Sequence, residues 1–140
     1  MNAKQPSLAV DCVVFDPAGR LLLIRRKNPP FLGQYALPGG YVEYRETTEH
    51  AAARELAEET GLAAIDLSLI GVYSDPHRDP RGHVVSIAYR VAVAGYDPRA
   101  GDDAAEAEFV ANWKKLDLAF DHRSIVADAV RKGARRRRPA

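Results

Sequence analysis

The apolar positions fall into short runs punctuated by glycine, proline and charge, and the spacing within each run predicts its element. Residues 7–15 and 20–26 are β-branched or leucine-rich and are separated by Asp16-Pro17-Ala18-Gly19, a hairpin turn signal. The first two strands are therefore expected to pair antiparallel. Lys27-Asn28-Pro29-Pro30 breaks the second strand, and residues 31–37 lead into Pro38-Gly39-Gly40, where the backbone can come close to a ligand. A helix is predicted over residues 47–60, with a threonine cap, Glu49 in its first turn and Gly61 to end it. Leu56 with Ala52 and Ala53 gives that helix a narrow inward face, so Glu55, Glu58 and Glu59 are expected to look out over the sheet edge. Strands follow over 65–73 and 83–94, joined by the polar loop 74–82, a place where function tends to reside. An acidic loop over 96–106, a short strand over 109–113 and a closing helix over 122–132, with Ile125, Val126, Ala129 and Val130 on its apolar side, complete the pattern. Strands interrupted by two helices predict an α/β layered domain.

Composition narrows this picture. At 140 residues and a net charge of +1, the chain suits one domain with an ordinary core. Residues 1–7 are polar and the next apolar run is broken by Asp11, so neither a secretory signal nor a membrane span is expected and a cytoplasmic location follows. Cys12 is the only cysteine, which excludes an internal disulfide or a cysteine-based zinc site; it reads as a small buried apolar residue. Arg131, Lys132 and the arginines at 135–138 crowd the carboxyl end. No aromatic residues interleave with them as a single-strand nucleic-acid surface would require, so residues 1–134 are read as the domain and 135–140 as a solvated basic tail.

The densest chemistry lies in the first helix. Glu55 and Glu59 stand four apart and Glu55 and Glu58 three apart, so the three are expected on one face. Like-charge pairs at this spacing cost roughly 0.2–0.5 kcal/mol each on an isolated helix. A hard divalent cation relieves that cost, and oxygen-only ligands suit Mg2+ or Mn2+ held jointly by carboxylates and substrate phosphates.

Gly40, Glu46, Arg54, Glu55, Leu56, Glu58, Glu59, Gly61 and Leu62 fall at the spacing Gly, five residues, Glu, seven residues, Arg-Glu-apolar-any-Glu-Glu-any-Gly-apolar. The segment resembles the signature of the Nudix hydrolases at every fixed position. The resemblance implies an α/β/α sandwich around a mixed β-sheet and a Mg2+-dependent hydrolase of phosphoanhydrides, with Mn2+ as an alternative ion. It implies that Glu58 and Glu59 are metal ligands, that Glu55 is a further ligand or the group that orients or deprotonates water, and that the carbonyl of Gly39 or Gly40 joins them. Arg54 would hold a glutamate through a charge-assisted hydrogen bond, and Glu46 would support the loop-to-helix geometry. A further acid from a distant loop is common in the family. Here the candidates are Glu106, Asp103 and Asp102, in that order for the first two.

The segment 73–86, with Arg78-Asp79-Pro80-Arg81-Gly82 at its centre, is similar to that of the ADP-ribose pyrophosphatase branch, as is Leu118-Ala119-Phe120-Asp121-His122. ADP-ribose, cleaved to AMP and ribose 5-phosphate, is accordingly the expected substrate. Arg78 and Arg81 can clamp phosphate or ribose oxygens or form loop salt bridges; Phe31 or Tyr35 can stack on adenine or pack in the core. Arg25 and Arg26 alternate in direction, so one of them, Arg26, is expected to face the phosphates. His77, His83 and His122 lack metal-site spacing and read as capping or packing residues. The competing readings are a MutT-type nucleoside triphosphate pyrophosphohydrolase, an ADP-ribose sensor module, for whose appended winged-helix domain there is no room, and RNA end processing. The resemblance also suggests a homodimer.

Overall fold

The computed structural model describes residues 4–101 and 104–136, with side chains as far as Gly133. Asp102, Asp103 and the residues from 137 onward lie outside the described residues. The elements run β1 (Ser7–Val13), β2 (Leu21–Arg26), β3 (Tyr35–Ala36), β4 (Gly39–Tyr41), α1 (Thr48–Thr60), β5 (Ala64–Tyr73), β6 (Val84–Val93), β7 (Ala104–Val110), a single 3-10 turn at Trp113–Lys115, and α2 (His122–Arg136). They form a four-stranded mixed sheet in the order β4-β1-β6-β5 and a three-stranded antiparallel sheet in the order β3-β2-β7.

The expected antiparallel pairing of the first two strands is corrected. The turn forms, with the Asp16 carboxylate accepting from the Ala18 and Arg20 amides. Pairing, however, is confined to Phe15 with Leu21 and to Leu22 N–H on Val14 O. Beyond that point β1 and β2 join different sheets. Both strands are apolar on both faces: Val10, Cys12, Val14 and Leu22 enter the cluster under α1, whereas Val13, Leu21 and Leu23 enter the cluster under α2. A hairpin with one wet face cannot bury both sets, and a layered core can.

Helix α1 begins at Thr47, whose hydroxyl accepts from His50 N–H, and ends at Gly61, whose left-handed backbone (φ 72°) returns its N–H to Ala57 O. Ala51, Ala52 and Leu56 form its buried face, and Ala53 is only half-buried. Removing a buried leucine side chain of this kind costs about 2–5 kcal/mol. On the opposite side, Ile125, Val126 and Ala129 of α2 meet Val13, Leu21, Ile70 and Ala88. Val130 was expected on that face and is instead 42% exposed. The third late strand also starts earlier than the pattern predicted, so Glu106 stands within β7 and not in a loop. Residues before it are tied to the end of α1, with Arg99 N–H on Thr60 O (2.8 Å) and Gly101 N–H on Glu59 O (3.0 Å). Among the described residues no helix is long and apolar enough to cross a membrane.

Candidate active site

The chain passes from the three-stranded to the four-stranded sheet through Leu37-Pro38-Gly39-Gly40, and this short backbone segment organises the site. It is tied down from three directions. Leu37 N–H donates to His122 Nδ1 (3.0 Å), Cys12 N–H donates to Pro38 O (2.8 Å), and Gly39 N–H donates to Glu59 Oε1 (2.7 Å). The two glycines allow this closeness. A Cβ on Gly39 would lie 2.2 Å from Val10 O, and one on Gly40 would lie 2.4 Å from the Glu55 carboxylate.

Glu55 and Glu59 therefore flank the glycine segment from α1, one turn apart. The expectation that all three glutamates look outward together needs revision. Glu59 is buried against the loop, with 6% of the residue exposed, while the Glu58 side chain is 58% exposed and inclines toward Arg54. Among the described residues no three histidine, cysteine, aspartate or glutamate side chains stand in metal-holding geometry. Glu55 and Glu59 are the two carboxylates that meet the glycine segment. Their oxygen-only chemistry fits a hard divalent ion, and the fit is with the carboxylates that press on Gly39 and Gly40.

Arg54 is the hub of the surrounding acids. Its Nε and Nη2 fork onto Glu46 (2.7 and 2.9 Å), Nη1 reaches Glu55 (2.7 Å) and Glu58 (3.3 Å), and Nη2 also donates to Tyr41 O (3.0 Å). These bonds, that to Glu46 first, hold the guanidinium pKa above its ordinary value. Arg54 in turn, with the Glu43 amide and His50, holds the Glu46 carboxyl far below the usual carboxylate range. Glu46 thereby locks the turn before α1 onto the helix. The Cys12 thiol is fully buried and its pKa is pushed up by that burial and then by Asp11, Glu59 and Glu55, so it is no nucleophile.

Against Glu59 and the glycine segment, a cavity of about 140 Å3 opens, with Asp11, Arg26, Arg78, Arg81, Phe120 and His122 among its walls. A neighbouring groove of about 270 Å3 shares Arg26, Gly39, Gly40, Tyr41, Glu59 and Arg81 with it and adds Glu55 and Lys27. The Arg81 guanidinium is held by Asp79 (2.7 and 3.1 Å) and lies 5.9 Å from the Tyr41 ring centre and 5.7 Å from that of Phe120. Arg26 lies 5.0 Å from Phe120; burial, and then Arg81, lower its pKa. Two cations, Arg26 and Arg81, thus line one groove with Tyr41, the glycine backbone and the carboxylates Glu55 and Glu59.

The remaining candidates are engaged by other groups of the protein, Arg78 within the cavity wall itself. Arg78 has a side chain only 5% exposed and forks onto Asp121 (2.9 and 2.6 Å) with Asp11 behind it at 3.8 Å, so its donors are spent on the protein's own carboxylates. Phe31 packs edge-on to Phe120 (4.8 Å) behind the cavity wall. Tyr35 lies under Arg25 (4.2 Å) and donates to Glu108. Glu106 stands opposite Arg25 in the sheet, 3.6 Å from its guanidinium, with a side chain 57% exposed. By strand alternation, Arg25 and Glu106 share one face and Arg26 takes the other. Tyr41, Phe120, Asp79 and Asp11 were not singled out from the sequence as site residues. Asp79 and Phe120 lay inside the two segments similar to the ADP-ribose pyrophosphatase branch, and Asp11 carried a signal of its own as a charge in an apolar strand, where it proves 7% exposed.

A family model described as the NUDIX domain matches residues 5–132, and the chain belongs to this family. Its mixed α/β fold and the complete glutamate box are those of a Nudix hydrolase. It is 52% identical over 126 residues to the ADP-ribose pyrophosphatase of Methanocaldococcus jannaschii, covering 90% of this chain and 74% of that protein. Its structure is similar to a MutT/nudix family protein from Enterococcus faecalis (TM-score 0.87, 31% identity, 96% of this chain), of which it spans 64%. It is also similar to the NUDIX domain of Shewanella oneidensis NrtR complexed with ADP ribose (TM-score 0.85, 28% identity, 92% of this chain and 89% of that one).

Proposed function

We propose that the protein hydrolyses the pyrophosphate of ADP-ribose with Mg2+, yielding AMP and ribose 5-phosphate. The observation that carries this reading is that Arg26, Arg81 and Tyr41 line one groove together with Gly39, Gly40, Glu55 and Glu59, with the Phe120 ring beside both arginines. A diphosphate with a sugar or base at each end matches that layout: anionic oxygens between the arginines and the metal side, rings against the aromatic walls. The name of the Methanocaldococcus jannaschii relative supports the same substrate.

One water is consumed: it attacks one phosphorus, the P–O–P bond breaks, and the two monophosphates depart. Glu55 and Glu59, with Glu58 once it leaves Arg54 and a backbone carbonyl at Gly39 or Gly40, would hold the ion. Bound there, Mg2+ would neutralise phosphoryl oxygens and lower the pKa of water. Mn2+ suits the same donors. Glu55, whose carboxylate packs against Gly40, would orient or deprotonate the attacking water. Arg54 ties Glu46, Glu55 and Glu58 together through its guanidinium, and Arg26 and Arg81 screen charge that grows on the leaving phosphate. Arg78 has a different part, fastening the 74–82 loop to the start of α2 through Asp121. Glu106 has no place in this reading, because its carboxylate is with Arg25.

Arg81→Ala tests the assignment of the substrate. It removes a group that reaches the second half of a dinucleotide-like diphosphate, so KM for ADP-ribose should rise about ten- to hundredfold, a loss of a charged hydrogen bond. KM for a nucleoside triphosphate should change less. Equal effects on both substrates would remove the support for ADP-ribose and favour the general triphosphate reading.

A further inference from the structure

Resting on the site reading above, we propose that His122 is a positioning residue for the reaction: its imidazole sets where the Pro38-Gly39-Gly40 backbone lies against Glu59, and Asp11 orients the imidazole. A backbone amide can only donate, so the bond from Leu37 N–H (3.0 Å) makes His122 Nδ1 an acceptor and leaves the ring proton on Nε2. That nitrogen faces Asp11 Oδ1 at 3.3 Å. Asp11 is fixed in turn, because its other oxygen accepts from Ser86 Oγ (2.5 Å) and has Arg78 at 3.8 Å. Arg78 closes the circuit on Asp121, the residue just before His122.

The ring is 4% exposed and lies 5.3 Å from the Phe120 ring, so it cannot turn without breaking this set. Pro38 follows the anchored Leu37 and has a fixed φ, which leaves few ways to absorb a shift before Gly39. Gly39 N–H is the group that Glu59 accepts from. A relay therefore runs from a buried carboxylate through an imidazole to a backbone amide, and ends on a carboxylate assigned to the ion. His122 stands in the cavity wall, but both its ring nitrogens are taken, by Leu37 N–H and by Asp11, so it acts through the glycine segment.

Two substitutions separate the ring's two nitrogens. His122→Asn places an amide oxygen near the position of Nδ1 and preserves an acceptor for Leu37 N–H, whereas His122→Gln places its amide near Nε2 and leaves Leu37 N–H without one. Full-length variants are assayed for ADP-ribose hydrolysis against Mg2+ concentration, with melting temperature measured alongside. We expect His122→Gln to raise the half-activating Mg2+ concentration by about tenfold or more, with KM for ADP-ribose close to wild type, and His122→Asn to shift it much less. A wild-type Mg2+ response in His122→Gln, or equal shifts in both variants that follow their losses of melting temperature, would overturn the proposal. Should His122→Gln fail to fold, 15N NMR of the wild-type ring decides: the Nε2–H tautomer supports the relay and the Nδ1–H tautomer overturns it. Glu59→Gln serves as the control. An unchanged Mg2+ response there refutes the metal reading itself, whereas a changed response there with an unchanged one in His122→Gln refutes the positioning role alone.

Discussion

Replacing Gly40 by alanine adds one methyl group at the point where the glycine segment and the box helix meet. Gly40 lies in β4 with extended backbone, paired to Val10, so alanine meets no conformational penalty there. The new Cβ would stand 2.4 Å from Glu55 Cδ and Oε2 and 2.7 Å from Oε1. Ordinary contact requires about 3.4 Å or more, so the carboxylate must withdraw by about 1 Å. Glu55 can do so by rotating a flexible side chain, and alanine gains a little backbone entropy, so stability should change by no more than about 1 kcal/mol. Catalysis should respond differently, since a 1 Å misplacement of a reacting group costs about a hundredfold in turnover. The assay is kcat for ADP-ribose at saturating Mg2+, with thermal denaturation as the fold control. Combining Gly40→Ala with Glu55→Gln should cost little more than Glu55→Gln alone, because both act on one carboxylate. Wild-type kcat in Gly40→Ala at unchanged melting temperature would refute the placement of Glu55. Gly39→Ala is the contrasting case, because its Cβ would meet the main-chain Val10 O at 2.2 Å and must displace backbone, so it should destabilise the fold.

Arg78→Ala should lower unfolding free energy by roughly 3–5 kcal/mol in urea titrations, since it strands Asp121 and Asp11 without their guanidinium, and a loss of activity without loss of stability would contradict the structural role. Glu46→Gln should lower the melting temperature at pH 7. Because the Glu46 carboxyl is held below its ordinary 4.5, its contribution is present above that pH and fades as pH falls through the depressed value. The gap between variant and wild type should accordingly hold constant above pH 5 and close below about pH 4; a gap that widens on acidification would contradict the Arg54 pairing.

The box helix was legible because its signals are local. Thr47, Glu49 and Gly61 mark its ends through capping chemistry that a sequence displays directly, and Leu56 with Ala52 marks its inner face. The alternation of Arg25 and Arg26 was legible for the same reason, and the structure sends them to opposite faces. Features set by long-range packing were not. The division of β1 and β2 between two sheets depends on β4, β6, β3 and β7 competing for their edges. The inward turn of Glu59 depends on the Gly39 amide arriving from twenty residues away. Arg78 and Arg81 look alike in sequence and both line the cavity, each on an aspartate, yet Asp121 and Asp11 bury the first to 5% side-chain exposure while the second, on Asp79, keeps 45%. Phe120, His122 and Asp11 meet only once α2 is docked, so no spacing rule foretells their company with the glycine segment.

The most direct test of ADP-ribose hydrolysis is product analysis by 31P NMR of the purified chain with ADP-ribose and Mg2+, beside a nucleoside triphosphate under the same conditions. The diphosphate resonances should vanish and be replaced by equal amounts of AMP and ribose 5-phosphate, at a kcat/KM well above that for the triphosphate, and chelation of the metal should stop the reaction. Intact ADP-ribose alongside a triphosphate converted to monophosphate and pyrophosphate would contradict the account.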